Sequence, residues 1–365
     1  MPTAKSKNTN TLSQILEKIR STILILALFS LLLPLAACGA QLSTSNATQP
    51  AFGSGSEEGT PQTETQNTAQ PSPTPEIVAT LSKEVAIELA DLGQIAFTAS
   101  HGGRRDIWLI NPDGNEELNL TGAMDNVFAE APVWAPDGQS IAYDGLIGDS
   151  EARDIMLVTL DTSGPEIFQL TVLPNYDCYP SFSPDGERIV YMSERNENRD
   201  LYIMDLNGNE LARITEDLSN DYEPAWSPSG DHIAFVSRRS GNSQIYIMDD
   251  QGRNKRQLTD VPFLDWRPAW SPDGEWIAFE SWRNGNADIF IMRPDGSDLQ
   301  QLTTSQSEDG HPHFSPDGRY LVFHSRRTGD YQLFIMELEN PENIWHLPTT
   351  SVRALLPTWS PPATE

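Results

Sequence analysis

The stretch PAWSPDGEWIAF, residues 268–279, reads as strand, tight turn, strand. Pro272 presets φ for the first central position of a turn, Asp273 can bond the local backbone, and Gly274 takes the conformation by which the chain leaves. Trp270 before the turn and Ile277 and Phe279 after it have the aromatic and β-branched character of paired strands. The stretch therefore predicts a β-hairpin.

Copies stand at VWAPDGQSIAY from Val133, SFSPDGERIVY from Ser181, AWSPSGDHIAF from Ala225 and HFSPDGRYLVF from His313. Phe182, Trp226, Trp270 and Phe314 are each 44 residues apart, and Trp134 precedes Phe182 by 48. Each hairpin from Ser181 onward is followed by a third apolar run, LYIMD, IYIMD, IFIMR or LFIME, and most units then close on Leu-Thr or Ile-Thr. Four strands per unit of about 40–45 residues is the pattern of a propeller blade. The ends complement one another. QIAFTAS from Gln94, DIWLI from Asp106 and ELNLT from Glu117 supply strands two to four of a blade, and PTWSPP from Pro357 supplies a first strand. The expected fold is all-β, a six-bladed propeller of four-stranded blades closed by pairing the C-terminal strand with the N-terminal three, which leaves no open edge.

These repeats resemble the WD40-like PD40 repeats of TolB-type propeller proteins, over residues 94–361. The α/β domain that precedes the propeller in TolB has no counterpart expected here. Residues 1–37 instead carry Lys5, Lys7, Lys18 and Arg20, then the apolar run TILILALFSLLLPLAA. That reads as a secretory signal, too short and interrupted for a comfortable span. LAAC, residues 35–38, resembles a bacterial lipobox, which implies lipidation of Cys38. Residues 38–87, rich in Ser, Thr, Gln and Pro, read as a disordered linker, and the propeller is expected over 88–365.

The formal charge is −28, and without residues 1–37, which hold four bases and one acid, it is −31. Nucleic acid is a poor partner for such a surface. With Cys38 lipidated, Cys178 is left alone, so no internal disulfide forms and the fold must rest on packing between blades.

A slot filled alike in every blade serves the scaffold; one filled differently is free for function. Asp177, Asp221, Asp265 and Asp309 each stand three residues before the Pro that opens strand one, and Arg195, Arg239, Arg283 and Arg327 follow each by 18. A carboxylate ring could hold a hard cation, but the joint occurrence of the two charges favours four structural ion pairs, and no metal or other cofactor is expected. The slot before that Pro holds Ala131, Tyr179, Glu223, Arg267, His311 and Leu356; the one before it holds Glu130, Cys178, Tyr222, Trp266, Gly310 and Leu355. The resemblance places these slots around the mouth of the central channel. Tyr179, Tyr222, Glu223, Trp266, Arg267, Trp282 and His311 are the candidate ligand-binding residues, being rich in the types favoured at interfaces. His311 and His313 show no third metal ligand, and no G-x-S-x-G elbow is present.

The function expected is that of an extracytoplasmic, lipid-anchored, monomeric and non-catalytic lipoprotein of the bacterial cell envelope. It would bind a protein or other envelope component at the channel mouth, as the resemblance implies. Polysaccharide recognition through Trp266 and Trp282, and a metal-dependent propeller lyase or hydrolase, are the alternatives.

Overall fold

Six sheets of four antiparallel strands, one of them extended by a fifth, parallel strand, surround one axis in the computed structural model, which describes residues 79–123, 127–147, 152–161, 164–172, 174–195 and 198–362. The signal segment, Cys38 and the linker as far as residue 78 lie outside the described residues.

Blade 5 shows how the sequence builds each unit. Its strands are Asp265–Trp270, Ile277–Ser281, Asp288–Met292 and Gln300–Gln301, paired in that order from the axis outward. The second and third strands are buried along their whole length, because a blade has a neighbour on both faces and so needs continuous apolar runs rather than alternation. The core accordingly divides into six clusters, one at each seam between blades.

Ring closure follows the expected pairing. The C-terminal strand Arg353–Trp359 pairs antiparallel with Ile95–His101, placing Trp359 opposite Ile95. Trp359 is 2% exposed, and its indole N–H donates to the Leu92 carbonyl at 2.8 Å. The expected linker boundary at residue 87 falls within ordered structure. Ala79–Thr80 pairs parallel with the outer strand of blade 6, and a helix spans Lys83–Ala90 with Ser82 accepting from Val85 N–H at its start. Leu89 of that helix is fully buried in the cluster shared by blades 6 and 1. The Ser- and Pro-rich composition hid this short apolar anchor, LSKEVAIELADL.

Two repeated letters acquire reasons. In five blades the Thr of the Leu-Thr or Ile-Thr motif accepts the N–H of the third strand, as Thr259 does from Ile245 at 3.0 Å and Thr303 from Ile289 at 2.9 Å. The turn Gly packs on the turn Pro of the preceding blade. Gly230 has φ +81°, and a Cβ there would lie 3.2 Å from Pro184 Cγ. Gly230→Ala is expected to cost about 1–2 kcal/mol from the left-handed backbone alone, measured by urea unfolding; an unchanged midpoint would refute that cost.

Candidate functional site

The loops entering the inner strands and those joining second to third strands share one face, the mouth face; the Ser-Pro-Asp-Gly turns lie on the other. Near the mouth every inner strand bulges. The ladder of blade 4 skips from Tyr222 to Ala225, that of blade 5 from Trp266 to Ala269, and the other blades shift at the same place. The bulge removes the Pro, which has no N–H to give, from the ladder. It also forces the preceding residue into the left-handed region. Ala131, Tyr179, Glu223, Arg267, His311 and Leu356 all have φ between 50° and 56°. None is β-branched, as that conformation requires.

The bulge frees a backbone N–H, and a second-strand slot answers it. Thr98 Oγ1 accepts from Ala131 N–H at 3.2 Å, Asp144 from Tyr179, Glu280 from His311, and His324 Nδ1 from Leu356 at 3.2 Å. In blade 4 that slot holds Val236, and Glu223 Oε2 accepts Arg267 N–H at 2.9 Å instead. The sequence reading missed Asp144, Glu280 and His324. Their signal was a polar residue inside the runs IAYDG, IAFES and LVFHS, where blades 3 and 4 write Met192 and Val236.

The seven candidate binding residues divide into two groups. Tyr179, Glu223, Arg267 and His311 line the central cavity. Arg267 Nε lies 3.5 Å from Glu280 Oε2 and its Nη1 3.9 Å from Glu223 Oε1. Burial works against this cation, but Glu223 and Glu280 together raise its pKa above the usual value. Burial also pushes Glu280 up, and it pushes His311 and His324 well below the usual imidazole value, with Arg267 adding to both. These imidazoles are therefore neutral. They stack with ring centroids 6.2 Å apart.

Tyr222, Trp266 and Trp282 do not line the cavity. Tyr222 and Trp266 are half-buried against the seam of blades 4 and 5, and the Tyr222 hydroxyl bonds Ser243 at 2.5 Å. Trp282 is half-buried and donates its indole N–H to Glu280 Oε1 at 3.0 Å. A second ionic group lies between blades 1 and 2. Arg105 meets Glu130, Arg153 Nη1 meets Glu130 at 2.8 Å and Asp144 at 2.9 Å, and both guanidinium groups cover the Phe128 ring.

Of the four Asp/Arg couples, three are in direct contact. Arg239 bonds Asp221 at 2.7 Å, Arg283 bonds Asp265 at 3.0 Å and Arg327 bonds Asp309 at 2.5 Å. In the fourth, Arg195 turns to Glu210 and reaches Asp177 only through Ser193, with 2.9 Å and 2.5 Å hydrogen bonds.

The family model described as TolB beta propeller domain, PD40, matches residues 92–262 and 251–364. The chain belongs to this family. Among solved structures, this TolB-family propeller is similar to TolB from Acinetobacter baumannii, with 27% identity, a TM-score of 0.64, and 74% of this chain and 67% of that one covered. Putative TolB from Agrobacterium tumefaciens, at 23% identity and a TM-score of 0.57, covers 70% of this chain and 88% of its own; that likeness shows the fold alone. Dipeptidyl-peptidase 5 of Porphyromonas endodontalis is 28% identical over 162 residues, 41% of this chain. The chain spans 22% of that relative's length.

Proposed function

We propose that this TolB-family propeller is a non-catalytic binding module that holds a protein of the cell envelope against its mouth face. A lipid anchor at Cys38 would present it outside the cytoplasm. The observation that carries this reading is where apolar side chains face water. Among the described residues ten large apolar side chains are exposed, and six of them lie on mouth-face loops or the strand ends beside them: Ile147, Val172, Tyr176, Leu218, Phe263 and Val352. None lies on a Ser-Pro-Asp-Gly turn. Leu218 is 99% exposed in a domain whose formal charge is strongly negative. Apolar exposure on one face, in a domain so strongly charged, supports an interaction surface there.

The non-catalytic part rests on Cys178, the free cysteine and the strongest nucleophile type in the propeller. Cys178 is buried, and its thiol is pushed well above the usual value by burial and then by Asp144, the reverse of what a reactive thiolate needs. Among the described residues no helix is long and apolar enough to cross a membrane.

Immobilised protein lacking residues 1–38 should retain a discrete envelope protein, identified by mass spectrometry. Leu218→Ser, Phe263→Ser, Val352→Ser together should weaken that complex at least tenfold at unchanged thermal stability. Equal binding by the triple variant, or retention of a glycan rather than a protein, would overturn the reading.

A further inference from the structure

Beneath the mouth lies a cavity of about 410 Å³, within the size range of small-ligand sites. It runs along the axis from the level of Tyr179, Glu223, Arg267 and His311 to the ring of turn prolines. Pro184, Pro228 and Pro272 are exposed, whereas Glu223 is 9% exposed and Ala131 7%. The cavity therefore reaches solvent on the turn face, opposite the apolar loops. Val133, Ala225 and Ala269 keep much of the wall apolar and narrow-bodied.

The inner end has polar capacity that the protein leaves unused. Glu223 spends Oε2 on Arg267 N–H, but Oε1 has only Arg267 Nη1 near it, at 3.9 Å, beyond hydrogen-bond distance. Thr358, on the blade opposite, is 1% exposed and lines the cavity, and its hydroxyl, itself buried, has no hydrogen-bond partner among the described residues. A buried polar atom left so is costly unless something meets it.

The charges around this end do not balance. Arg105 and Arg153 answer Glu130 and Asp144, Arg326 answers Glu308 and Arg353 answers Asp330, but Arg267 stands alone between Glu223 and Glu280. His311 and His324 contribute no charge. With both carboxylates ionised this triad carries one negative charge, which burial of Glu280 opposes, and Arg238, in the slot that holds Arg326 in blade 6, stands exposed outside it. The entrance has the same sign: the turns carry Asp137, Asp185, Asp273 and Asp317 beside their prolines, with Glu187, Asp231 and Glu275, against Arg188 and Arg319, which pair with Asp185 at 3.4 Å and Asp317 at 2.6 Å. Burial opposes ionisation of Asp185, Asp273 and Asp317, but hydrogen bonds, first from Ser183, Ser271 and Ser315, hold their pKa values below the usual range. A low-dielectric tunnel with one sign of charge at both ends concentrates counter-ions of the other. It repels a carboxylate or phosphate.

We infer that the axial cavity is a binding site for a small organic cation with an apolar body, an aryl- or alkylammonium ion, which enters by the turn face and places its ammonium group at Glu223 Oε1. The body lies along the alanine, valine and proline wall. This site goes beyond the mouth-face reading, and either can fail without the other.

The test is isothermal titration of the full chain with three isosteric probes, 2-phenylethylammonium, 2-phenylethanol and 3-phenylpropionate, at low salt. The ammonium ion should bind at least tenfold more tightly than either of the others and weaken as salt is raised. Glu223→Gln, which keeps the acceptor for Arg267 N–H, should lose at least tenfold in affinity at an unchanged melting temperature. Ala269→Leu, which fills the wall, should abolish binding while capture at the mouth face persists. Equal binding of the carboxylate, full affinity in Glu223→Gln or Ala269→Leu, or binding by no probe would each overturn the assignment.

Discussion

Asp309→Asn is expected to destabilise the domain by about 3–5 kcal/mol, the cost of leaving one member of a buried ion pair without its partner. Asp309 is fully buried and Arg327 is 6% exposed, and the latter also donates Nε to Ser325 and lies over Phe323 and Phe334. Asparagine keeps the shape and removes the charge, so the guanidinium would remain in the seam without a counter-ion. The contrast is Arg195→Met, where the side chain is 19% exposed, its carboxylate partner is a surface Glu210 at 45%, and Asp177 keeps its bond from Ser193. There the loss should be about 1 kcal/mol or less. Denaturant unfolding of both variants decides the matter, with the double variant Asp309→Asn, Arg327→Met recovering part of the loss. Equal losses at the two sites would show that burial of the pair is not what sets its worth.

The second large effect is on acid stability. Burial lowers the His313 imidazole from 6.5 to about 4, partly offset by the nearby Phe314 carbonyl. Its Nδ1 accepts Trp359 N–H at 3.2 Å, tying blade 6 to the closing strand. Above pH 6.5 both folded and unfolded chains hold this ring neutral. As pH falls toward 4 the unfolded chain takes up the proton first, so stability is lost across that window. The loss from this residue is about 2–3 kcal/mol. Asp288, raised to about 6 by burial and then by Asp309, works in the opposite direction, so the comparison must be a difference between two proteins. His313→Asn keeps an acceptor for Trp359 and does not titrate. The stability of the wild type relative to this variant should fall by that amount between pH 6.5 and 4, with Trp359 N–H exchange accelerating in the wild type. A pH-independent difference would mean that His313 is not neutral in the fold.

The slots around the mouth show how far a repeat can be read. Comparing blades singled out Tyr179, Glu223, Arg267 and His311 as freely varied, and these residues do converge on the axis. The same comparison grouped Tyr222 and Trp266 with them, although both pack into the seam of blades 4 and 5. A bulge separates the two slots and reverses the direction in which neighbouring side chains point, and no spacing in the sequence announces it. Glu280 and His324 escaped notice because a polar residue in an apolar run gains meaning only once a left-handed residue of the next blade presents an N–H to it.

What the sequence determined by itself was the blade, the blade count and the closure. Those depend on local chemistry repeated in register: Pro and Gly in turns, apolar runs where both faces are covered, and complementary partial blades at the two ends. What only the tertiary structure decided was which residues share a space. The charge surplus at Glu223, Arg267 and Glu280, the detour of Arg195 to Glu210, and the anchoring of residues 79–92 across the closing seam all join positions from different blades or chain ends. Their energies depend on distance and burial, which the circular arrangement sets and a linear pattern does not contain.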